Sequence, residues 1–497
     1  MSRERITQSQ LESYLWGAAT LLRGTIDAGE YKSFIFPLLF LKRLSDVYDE
    51  ERAEALADSE GDEEYADLPE QHRFQVPDGA HWADVRQQTT NVGAAIAKAM
   101  REIERVNLRL AGVFGDAPWT NKERLPDATL RDLIEHYSTV QLGIADVPED
   151  ELGVAYEFLI KRFADDSGHT AAEFYTNRTL VHLMTQMLDI QPGDSVYDPT
   201  CGTGGMLLSA ADELRRQGKE HRTLKLYGQE RNLTTSAIAR MNLFLHGIED
   251  FDVVRGDTLA RPAFLEGDRL RRFDVVLANP PYSIKAWDRI AWQSDAWGRN
   301  WFGTPPQGRA DYAFWQHILA SLDPRTGRCA ILFPHGVLFR DEEAAMRQKM
   351  IEADVIDAVI GLGPNLFYNS PMEACIVICR SHKTVDRKGK VMFIDAVDQV
   401  TRERAQSFLT PEHIARISST YLAFDGEDGF AAVTTVDEIA KQGYRLSIPL
   451  YVKRMSTDNG ASQDLASAIA GWRASSAELR STATDLFAHL EAGGVSR

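Results

Sequence analysis

The feature that most constrains this sequence is a short apolar run that ends in a rigid polar turn. Residues 273–278 (Phe-Asp-Val-Val-Leu-Ala) have the pattern of a strand buried inside a parallel sheet, and residues 279–282 (Asn-Pro-Pro-Tyr) follow directly. Two consecutive prolines cannot continue a strand ladder, so the chain must turn there. In an open α/β sheet, ligands bind at the carboxyl ends of the strands. The run therefore predicts an α/β fold with a ligand site at this turn.

The turn carries groups suited to holding a planar ring that bears an amino group. The side-chain oxygen of Asn279 and the carbonyl oxygen of Pro280 can both accept hydrogen bonds from one exocyclic amine, and Tyr282 offers a ring for stacking. This grip leaves the lone pair of the amine nitrogen free, as methylation of an amino group requires. For the tetrapeptide alone, a strand that simply ends in an Asn-Pro turn is an equal alternative. The candidate catalytic residues are Asn279, Pro280, Pro281 and Tyr282.

A glycine-rich loop upstream strengthens the case for a ligand site. Residues 195–198 form a predicted short strand that runs into residues 199–205 (Pro-Thr-Cys-Gly-Thr-Gly-Gly), and helical spacing begins at Met206. Glycine lets a backbone approach a ligand closely, so this layout is typical of a nucleotide-type pocket. The chain has neither the GxGxxG pattern nor GxxxxGK[ST], which argues against a nicotinamide dinucleotide or ATP.

Acidic residues stand at the ends of the next two predicted strands. Residues 224–229 deliver Glu230 to the place where an acid binds ribose hydroxyls. Residues 252–257 end in Asp257, which can accept a hydrogen bond from an adenine amine. Each acid alone is more often a solvated loop residue. Together with the two turns, however, they make four strand-end signals in the order that a nucleotide-binding sheet requires.

These motifs resemble the adenine-specific DNA methyltransferases, and within them the modification subunits of type I restriction-modification systems. The resemblance covers nearly the whole chain and includes residues 173–178, 310–314, 333–340 and 446–449. It departs at Asn177, which stands where the family usually has proline. Without the fixed φ of a proline ring, the sequence predicts a looser loop there, and Asn177 is left out of the candidate site.

The resemblance implies an enzyme that transfers a methyl group from S-adenosyl-L-methionine to N6 of an adenine flipped out of duplex DNA, without a metal. Asp198 and residues 202–205 are expected to hold the methionine portion of the cofactor, Glu230 its ribose and Asp257 its adenine. The candidate cofactor-binding residues are Phe174, Tyr175, Thr176, Asp198, Thr200, Gly202, Thr203, Gly204, Gly205, Glu230 and Asp257.

The chain divides into three predicted parts. Residues 1–150 carry helix-period apolar residues and predict a helical domain, whereas residues 151–455 alternate strands with helices and predict a doubly wound sheet. The resemblance makes that sheet an S-adenosylmethionine-dependent methyltransferase domain. Residues 456–497 predict a linker and a helical tail that either packs back on its own domain or docks on a partner. Its heptad positions are Leu465, Ile469, Trp472, Ser476, Leu479, Ala483, Leu486 and Leu490.

Charge bears on the partners of the chain. The 55 basic and 73 acidic residues give a formal net charge of −18, the wrong sign for a protein that holds DNA by itself. Most of the DNA affinity should come from a partner. The resemblance implies DNA, a specificity subunit shared by two modification subunits, and a restriction/translocase subunit. No apolar run approaches membrane length and the N-terminus lacks a signal-peptide pattern, so a cytoplasmic enzyme without membrane contact is expected.

The stretch after the catalytic turn allows two interpretations. It is either a loop that packs its aromatic rings inward or a segment that closes over an extruded base. Its basic residues Lys285, Arg289 and Arg299 are interleaved with Trp287, Trp292, Trp297, Trp301 and Phe302.

Other functions fit parts of the pattern. A non-catalytic scaffold that keeps the fold would not need an intact residue 279–282 motif. A protein glutamine methyltransferase grips an amide with the same tetrapeptide, but such enzymes are much shorter and lack the residue 174–176 region and the heptad tail. A self-sufficient restriction and modification enzyme would need a nuclease motif and a target recognition domain, and neither is found in this sequence.

Overall fold

In a computed structural model of the protein, the described residues are 5–166, 176–366, 373–402, 407–453, 469, 471–477 and 479–482. They fall into two units, residues 1–453 and residues 454–497. In the second unit, the described residues from 469 to 482 are helical. Among the described residues, no helix combines the length and the apolar content needed to cross a bilayer.

Helices make up the first part of the chain, as predicted. The first helix begins at a capping box in which Thr7 and Gln10 satisfy each other's backbone N–H groups. The second helix is long and is buried over its first half, which includes the charged pair Lys42 and Asp46. The helices are α1 Gln8–Leu21, α2 Lys32–Asp58, α3 Glu63–Ala66, α4 Trp82–Arg86, α5 Val92–Val106, α6 Asp127–Tyr137 and α7 Glu149–Asp166.

The described residues then form a nine-stranded sheet, with the strand order β9-β8-β6-β7-β5-β4-β1-β2-β3. Its strands are β1 Ser195–Asp198, β2 Lys225–Glu230, β3 Phe251–Arg255, β4 Val275–Ala278, β5 Arg328–Pro334, β6 Ile356–Leu362, β7 Ala374–Arg380, β8 Lys390–Ala396 and β9 Ala431–Thr435. Strands β3, β2, β1, β4 and β5 are parallel. Strand β7 lies antiparallel between β5 and β6, and β9 is antiparallel to β8.

Helices cover both faces of the sheet. Alternate strand residues face opposite layers, since Val196 belongs to the hydrophobic cluster that includes Leu183 and Leu207, whereas Tyr197 belongs to the cluster of Trp315 and Met350. The predicted doubly wound α/β fold is confirmed. The helices are α8 Arg178–Leu188, α9 Gly205–Arg216, α10 Leu233–Leu245, α11 Arg289–Gln293, α12 Asp311–Ala320, α13 Ala344–Glu352, α14 Pro411–Ala423 and α15 Val436–Lys441.

The helical region and the sheet region share a hydrophobic core. Residues of α10, among them Ile238, Met241 and Phe244, lie in the same cluster as the buried side chains of α1 and α2. Helix α7 starts at Glu149, so the predicted division after residue 150 falls inside a helix. The N-terminal helices therefore pack on the sheet domain as one unit with it.

The buried pair in α2 generates a prediction about stability. The side chains of Lys42 and Asp46 are 2% and 6% exposed, and Asp46 also accepts a hydrogen bond from the Leu142 N–H at 2.7 Å. Asp46→Ala leaves a buried ammonium group without its partner, so we expect a loss of about 3–5 kcal/mol in unfolding free energy. Urea unfolding followed by tryptophan fluorescence measures this loss in unfolding free energy.

The matched control is Glu135→Ala, which breaks the exposed ion pair between Arg86 and Glu135. That pair should contribute less than about 1 kcal/mol because water screens it. Equal losses in the two variants would contradict a structural role for the buried pair.

Candidate active site

The two predicted motifs meet where the strand order reverses. Strands β1 and β4 are parallel neighbours, with Val196 opposite Val275 and Tyr197 opposite Val276. The chain moves outward from β1 to β2 and β3, then returns to place β4 on the other side of β1. Such a reversal leaves a crevice at the strand ends because the two connections diverge. The glycine-rich loop follows β1 and the 279–282 turn follows β4, so both border this crevice.

Two cavities open at the crevice. The first has a volume of about 420 Å³ and is lined by these candidate residues: Thr176, Asp198, Thr200, Gly202, Thr203, Gly205 and Asn279. The second has a volume of about 730 Å³ and is lined by the candidates Thr200, Glu230, Asp257, Asn279 and Pro281. Because Thr200 and Asn279 line both, the cavities meet at these two residues. Asn279 therefore borders both cavities.

Asn279 presents a buried acceptor at this junction. Its side-chain Nδ2 donates to Oγ1 of Thr176 at 3.0 Å. Its Oδ1 is buried and has no hydrogen-bond partner among the described residues. Buried polar atoms are nearly always paired, so an orphaned oxygen in a crevice indicates that a polar ligand completes the site.

Asp198 is a buried carboxyl at the end of β1. Its side-chain Oδ1 accepts a hydrogen bond from the Thr200 N–H at 2.9 Å, which shapes the start of the glycine-rich loop. Burial, with a smaller effect of the neighbouring Glu230 charge, raises the pKa of Asp198 to about 8. A buried carboxyl group with a raised pKa favours a cationic ligand, because a nearby positive charge stabilises the ionised form that burial disfavours.

Glu230 joins the glycine-rich loop to the next helix. Its Oε2 accepts from the Gly202 N–H at 3.1 Å and its Oε1 from the Asn232 N–H at 2.7 Å. Glu230 is the last residue of β2, whereas the sequence analysis placed it directly after the strand. Cys201 packs against the glycine of β2, where a Cβ on Gly228 would lie 2.9 Å from the Cys201 sulfur. Cys201 is therefore a packing residue of this loop.

Asp257 shapes the loop that follows β3. Its Oδ1 accepts from the Leu259 and Ala260 N–H groups, both at 3.1 Å, and its Oδ2 lies 3.8 Å from Nε of Arg231. One carboxylate oxygen is thus occupied by the turn itself. The other faces the guanidinium at the rim of the second cavity.

Of the remaining candidates, the described ones, Gly204, Pro280 and Tyr282, lie outside the two cavity linings. Gly204 is the N-cap of α9 with φ +81°, a left-handed conformation that a side chain would strain, so its role is to shape the loop. Tyr282 keeps a half-buried ring, and burial raises the pKa of its hydroxyl group. Pro280 is buried beneath the turn. Phe174 and Tyr175 are outside the described residues.

Asn177 is firmly held, contrary to the looser loop that the sequence predicts. Its φ of −55° lies in the range that a proline ring would impose. It caps α8 by accepting from the Thr179 N–H at 3.0 Å, and its side chain is buried. A hydrogen-bonding asparagine therefore fulfils here the conformational role of the family proline.

Three residues that the sequence analysis did not select hold the turn at residues 279–282. Ser283, directly after the turn, has φ +51°, and its N–H donates to Oδ1 of Asp311 at 2.7 Å. Arg340 donates from Nη2 to Oδ2 of the same carboxylate at 2.7 Å. Asp311 is only 1% exposed. Asp311 and Arg340 lie within the motifs at 310–314 and 333–340, but their spacing in sequence gives no sign that they meet.

Arg299 fastens the aromatic stretch to the loop after β3. Its Nη1 and Nη2 donate to the carbonyl oxygens of Thr258 and Leu259 at 2.9 and 2.7 Å, and Nη2 also pairs with Asp295 at 2.6 Å. Its guanidinium carbon lies 4.6 Å from the ring centre of Trp292 and 5.0 Å from that of Trp297. Arg299 is therefore an internal anchor of this stretch.

The other aromatic residues of the stretch differ in exposure. Trp292 and Phe302 are buried, which supports the interpretation of an inward-packed loop. Trp301 is 55% exposed and Ile290 is 79% exposed, so part of the stretch is open to an approaching molecule. The second cavity also contains Phe314, which the sequence analysis named only within a motif.

Comparison with known proteins identifies the family of this chain. Residues 147–459 match the family model for N-6 DNA methylases, and residues 11–137 match the model of an HsdM N-terminal domain. The chain belongs to the N-6 DNA methylase family. It is an adenine-specific DNA methyltransferase of the type I modification-subunit kind and uses S-adenosyl-L-methionine, as the resemblance implied. Membership of this family sets the glutamine methyltransferase alternative aside.

Individual relatives align over most of their own length. The chain is 29% identical over 488 residues to the type I restriction enzyme MjaIX methylase subunit of Methanocaldococcus jannaschii, covering 91% of this chain and 85% of that one. It is 30% identical to the HindI methylase subunit of Haemophilus influenzae, covering 73% and 83%. A solved type I methyltransferase subunit from Streptococcus thermophilus superposes with a TM-score of 0.79 at 29% identity, covering 90% of this chain and all 100% of that one.

The residues of the crevice fit S-adenosylmethionine. Its positive charge suits the carboxyl of Asp198, because burial raises the pKa of this group and a nearby cation stabilises the ionised form. Gly205 lines the first cavity, and a Cβ added there would meet no atom within 4 Å, so the glycine leaves space for a ligand. The two cavities, joined at Thr200, offer separate spaces for the two halves of the cofactor.

The raised pKa of Asp198 predicts that cofactor binding is linked to protons. Below about pH 8 the free carboxyl holds a proton, and a cationic ligand favours the ionised form, so binding should release that proton. Affinity should rise up to about tenfold per pH unit below this pKa and level off above it. Calorimetry in two buffers of different ionisation enthalpy measures the release.

Asp198→Asn is the control, because its amide cannot titrate. We expect it to bind more weakly and without this proton release. An unchanged pH dependence in Asp198→Asn would show that another group is responsible.

Proposed function

We propose that this chain transfers the methyl group to N6 of a flipped adenine at the junction of the two cavities, as the modification subunit of a type I restriction-modification complex. The observation that carries the proposal is the buried Oδ1 of Asn279, which has no partner among the described residues while Nδ2 is held by Thr176. An acceptor fixed in this way suits an exocyclic amine. A partner in the complex supplies the DNA sequence to be recognised.

The catalytic turn holds the amine in a reactive orientation. Oδ1 of Asn279 and the carbonyl oxygen of Pro280 accept the two amine hydrogens, so that the lone pair is directed away from the turn. Tyr282 stacks on the base, and Pro281 forms part of the cavity wall. When bound, S-adenosylmethionine supplies a methyl group on a cationic sulfur. Catalysis then depends mainly on positioning, and the surplus amine proton leaves to solvent.

The cofactor-binding residues divide between the cavities. Asp198, with the glycine-rich loop and residues 174–176, holds the methionine portion. Glu230 binds the ribose hydroxyls and Asp257 the adenine, both from the second cavity. The Gly202 and Asn232 N–H groups donate to the two oxygens of Glu230, which holds this carboxylate in the lining of the second cavity.

The partners follow from charge and from the relatives. The relatives are named as subunits of type I restriction enzymes, which supports an assembly with DNA, a specificity subunit and a restriction/translocase subunit in the cytoplasm. A net charge of −18 supports the view that DNA affinity comes largely from the specificity subunit, and we propose two modification subunits for each specificity subunit. The helical region 1–150 contributes to assembly and DNA contact, and region 151–455 is catalytic.

The tail, residues 456–497, is proposed to dock on the specificity subunit. Its described residues are helical, and three apolar side chains at heptad spacing are exposed: Ile469, Trp472 and Leu479. An exposed apolar seam on a helix is stabilised when another helix covers it.

The proposed role of Asn279 predicts a selective loss of catalysis. Asn279→Ala should leave cofactor affinity nearly intact while methyl transfer falls about 10²-fold or more, the scale for losing one transition-state contact. Single-turnover rates on target DNA and equilibrium cofactor binding separate the two effects. Transfer within a few fold of wild type would refute the role. If the assembled wild-type complex transfers no methyl group, the non-catalytic scaffold is the correct alternative.

The proposed tail predicts a truncation phenotype. A chain without residues 456–497 should fold and bind S-adenosylmethionine, because the tail lies outside the unit of residues 1–453. It should not join the specificity subunit, and it should show little sequence-specific DNA binding. Co-purification and gel-shift assays test both points.

A point variant refines this test without truncation. Leu479→Asp places a charge on the seam and should weaken assembly, whereas Ala474→Asp places the same charge on the opposite side of the helix and should not. Normal assembly of the truncated chain would show that the tail packs on its own domain, and an unfolded truncation would move the domain boundary.

A further inference from the structure

Asn177 is tied into the protein by both ends of its side-chain amide. Its Oδ1 accepts from the N–H and the hydroxyl group of Thr179, at 3.0 and 2.8 Å. Its Nδ2 donates to the carbonyl oxygens of Leu366 and Ser407, at 3.3 and 2.9 Å. Only 6% of the residue is exposed. An N-cap needs only the acceptor, so the two donated bonds do something other than start α8.

The donated bonds join three segments that are distant in sequence. Leu366 follows strand β6, Ser407 lies in a short two-stranded pairing further on, and Asn177 begins α8. The backbone N–H of Leu409 donates to the Thr179 hydroxyl group at 3.0 Å, which adds a further link to the same segment. The backbone at Asn177 is therefore anchored from two directions. Thr176, the preceding residue, is held by this anchor.

Thr176 in turn holds one end of the Asn279 amide. A side-chain amide has its donor on one side and its acceptor on the other, and here Nδ2 of Asn279 donates to Oγ1 of Thr176 at 3.0 Å. Oδ1 is thereby directed away from Thr176, and it is the buried oxygen without a partner among the described residues. If the amide turned over, an NH₂ group would face the target amine, and two donors cannot bond each other. A bound amine can use only Oδ1 as its acceptor, and the Thr176 hydroxyl group then holds the amide at its Nδ2 end.

We propose that Asn177 is a positioning residue for methyl transfer: it fixes Thr176, and Thr176 fixes the amide of Asn279 with Oδ1 directed at the target amine. This inference rests on the proposed role of Asn279. Asn177 contacts neither the base nor the cofactor in this arrangement. Its effect should appear in the rate of transfer at saturating cofactor and DNA.

The test compares Asn177→Ser, Thr176→Val and the double variant in the assembled complex. Serine can still cap α8 but cannot reach the carbonyl oxygens of Leu366 and Ser407. We expect Asn177→Ser to lower the single-turnover rate about tenfold, because small misplacements of reacting groups are costly. Cofactor affinity should stay within about twofold, since the cavity lining is kept. Asn177→Asp, which keeps the volume and the cap, should be at least as slow.

A matched control removes the same kind of bonds elsewhere. Asn107, at the end of α5, is also buried and donates from Nδ2 to two carbonyl oxygens, those of Gln75 and Ile103, both at 2.8 Å. Asn107→Ser should lower the thermal midpoint about as much as Asn177→Ser does. It should leave the transfer rate within about twofold of wild type.

The double variant separates positioning from general stability. If Asn177 acts through Thr176, the double variant should be no slower than Thr176→Val alone. Rate losses that multiply, or an Asn177→Ser rate equal to that of Asn107→Ser, would overturn the inference while Asn279→Ala stays impaired. If Asn279→Ala transfers as fast as wild type, the proposed function of Asn279 fails and the inference fails with it.

Discussion

The structure depends on one constraint of the sheet, the reversal of strand order between β1 and β4. Parallel neighbours end at the same edge of the sheet. The connections that follow β1 and β4 lead in opposite directions, so the two loops diverge and leave a crevice between them. The glycine-rich loop and the Asn-Pro-Pro-Tyr turn come from these two strands, which brings the proposed cofactor side and the proposed substrate side together. The Thr258 hydroxyl donates to the Pro199 carbonyl oxygen at 2.5 Å and ties in the loop from β3 as well.

Buried charged groups hold the substrate side in place. Asp311 accepts from the backbone after the catalytic turn and from Arg340, while Arg299 anchors the aromatic stretch to the loop after β3. Both arginines bond to carbonyl or carboxylate oxygens, so their positive charges are compensated inside the protein. The formal charge of −18 and these internal uses of two arginines point the same way, since these two cations are engaged inside the protein and not available to phosphates.

Strands β1 and β4 were predictable because their short apolar segments lead directly into glycine-rich or proline-rich turns. The predicted strand at 195–198 coincides with β1, and β4 lies inside the predicted run of residues 273–278. Strand ends were less predictable, because hydrogen bonding to the neighbouring strand, and not residue type, decides where a strand stops. Glu230 pairs with Arg255 and so belongs to β2 itself. The effect of Asn177 could not be foreseen, because its partners Leu366 and Ser407 are far along the chain.

By itself, the sequence determined the fold class and the candidate residues of the site, because apolar periodicity, glycine and proline act through local chemistry. Only the tertiary structure decided which of those residues face the cavities and which support them. It showed that Asn279 keeps a buried oxygen without a partner among the described residues, and that Gly204 shapes a loop outside the cavity lining. These properties depend on burial and on contacts between segments distant in sequence, which no local pattern encodes.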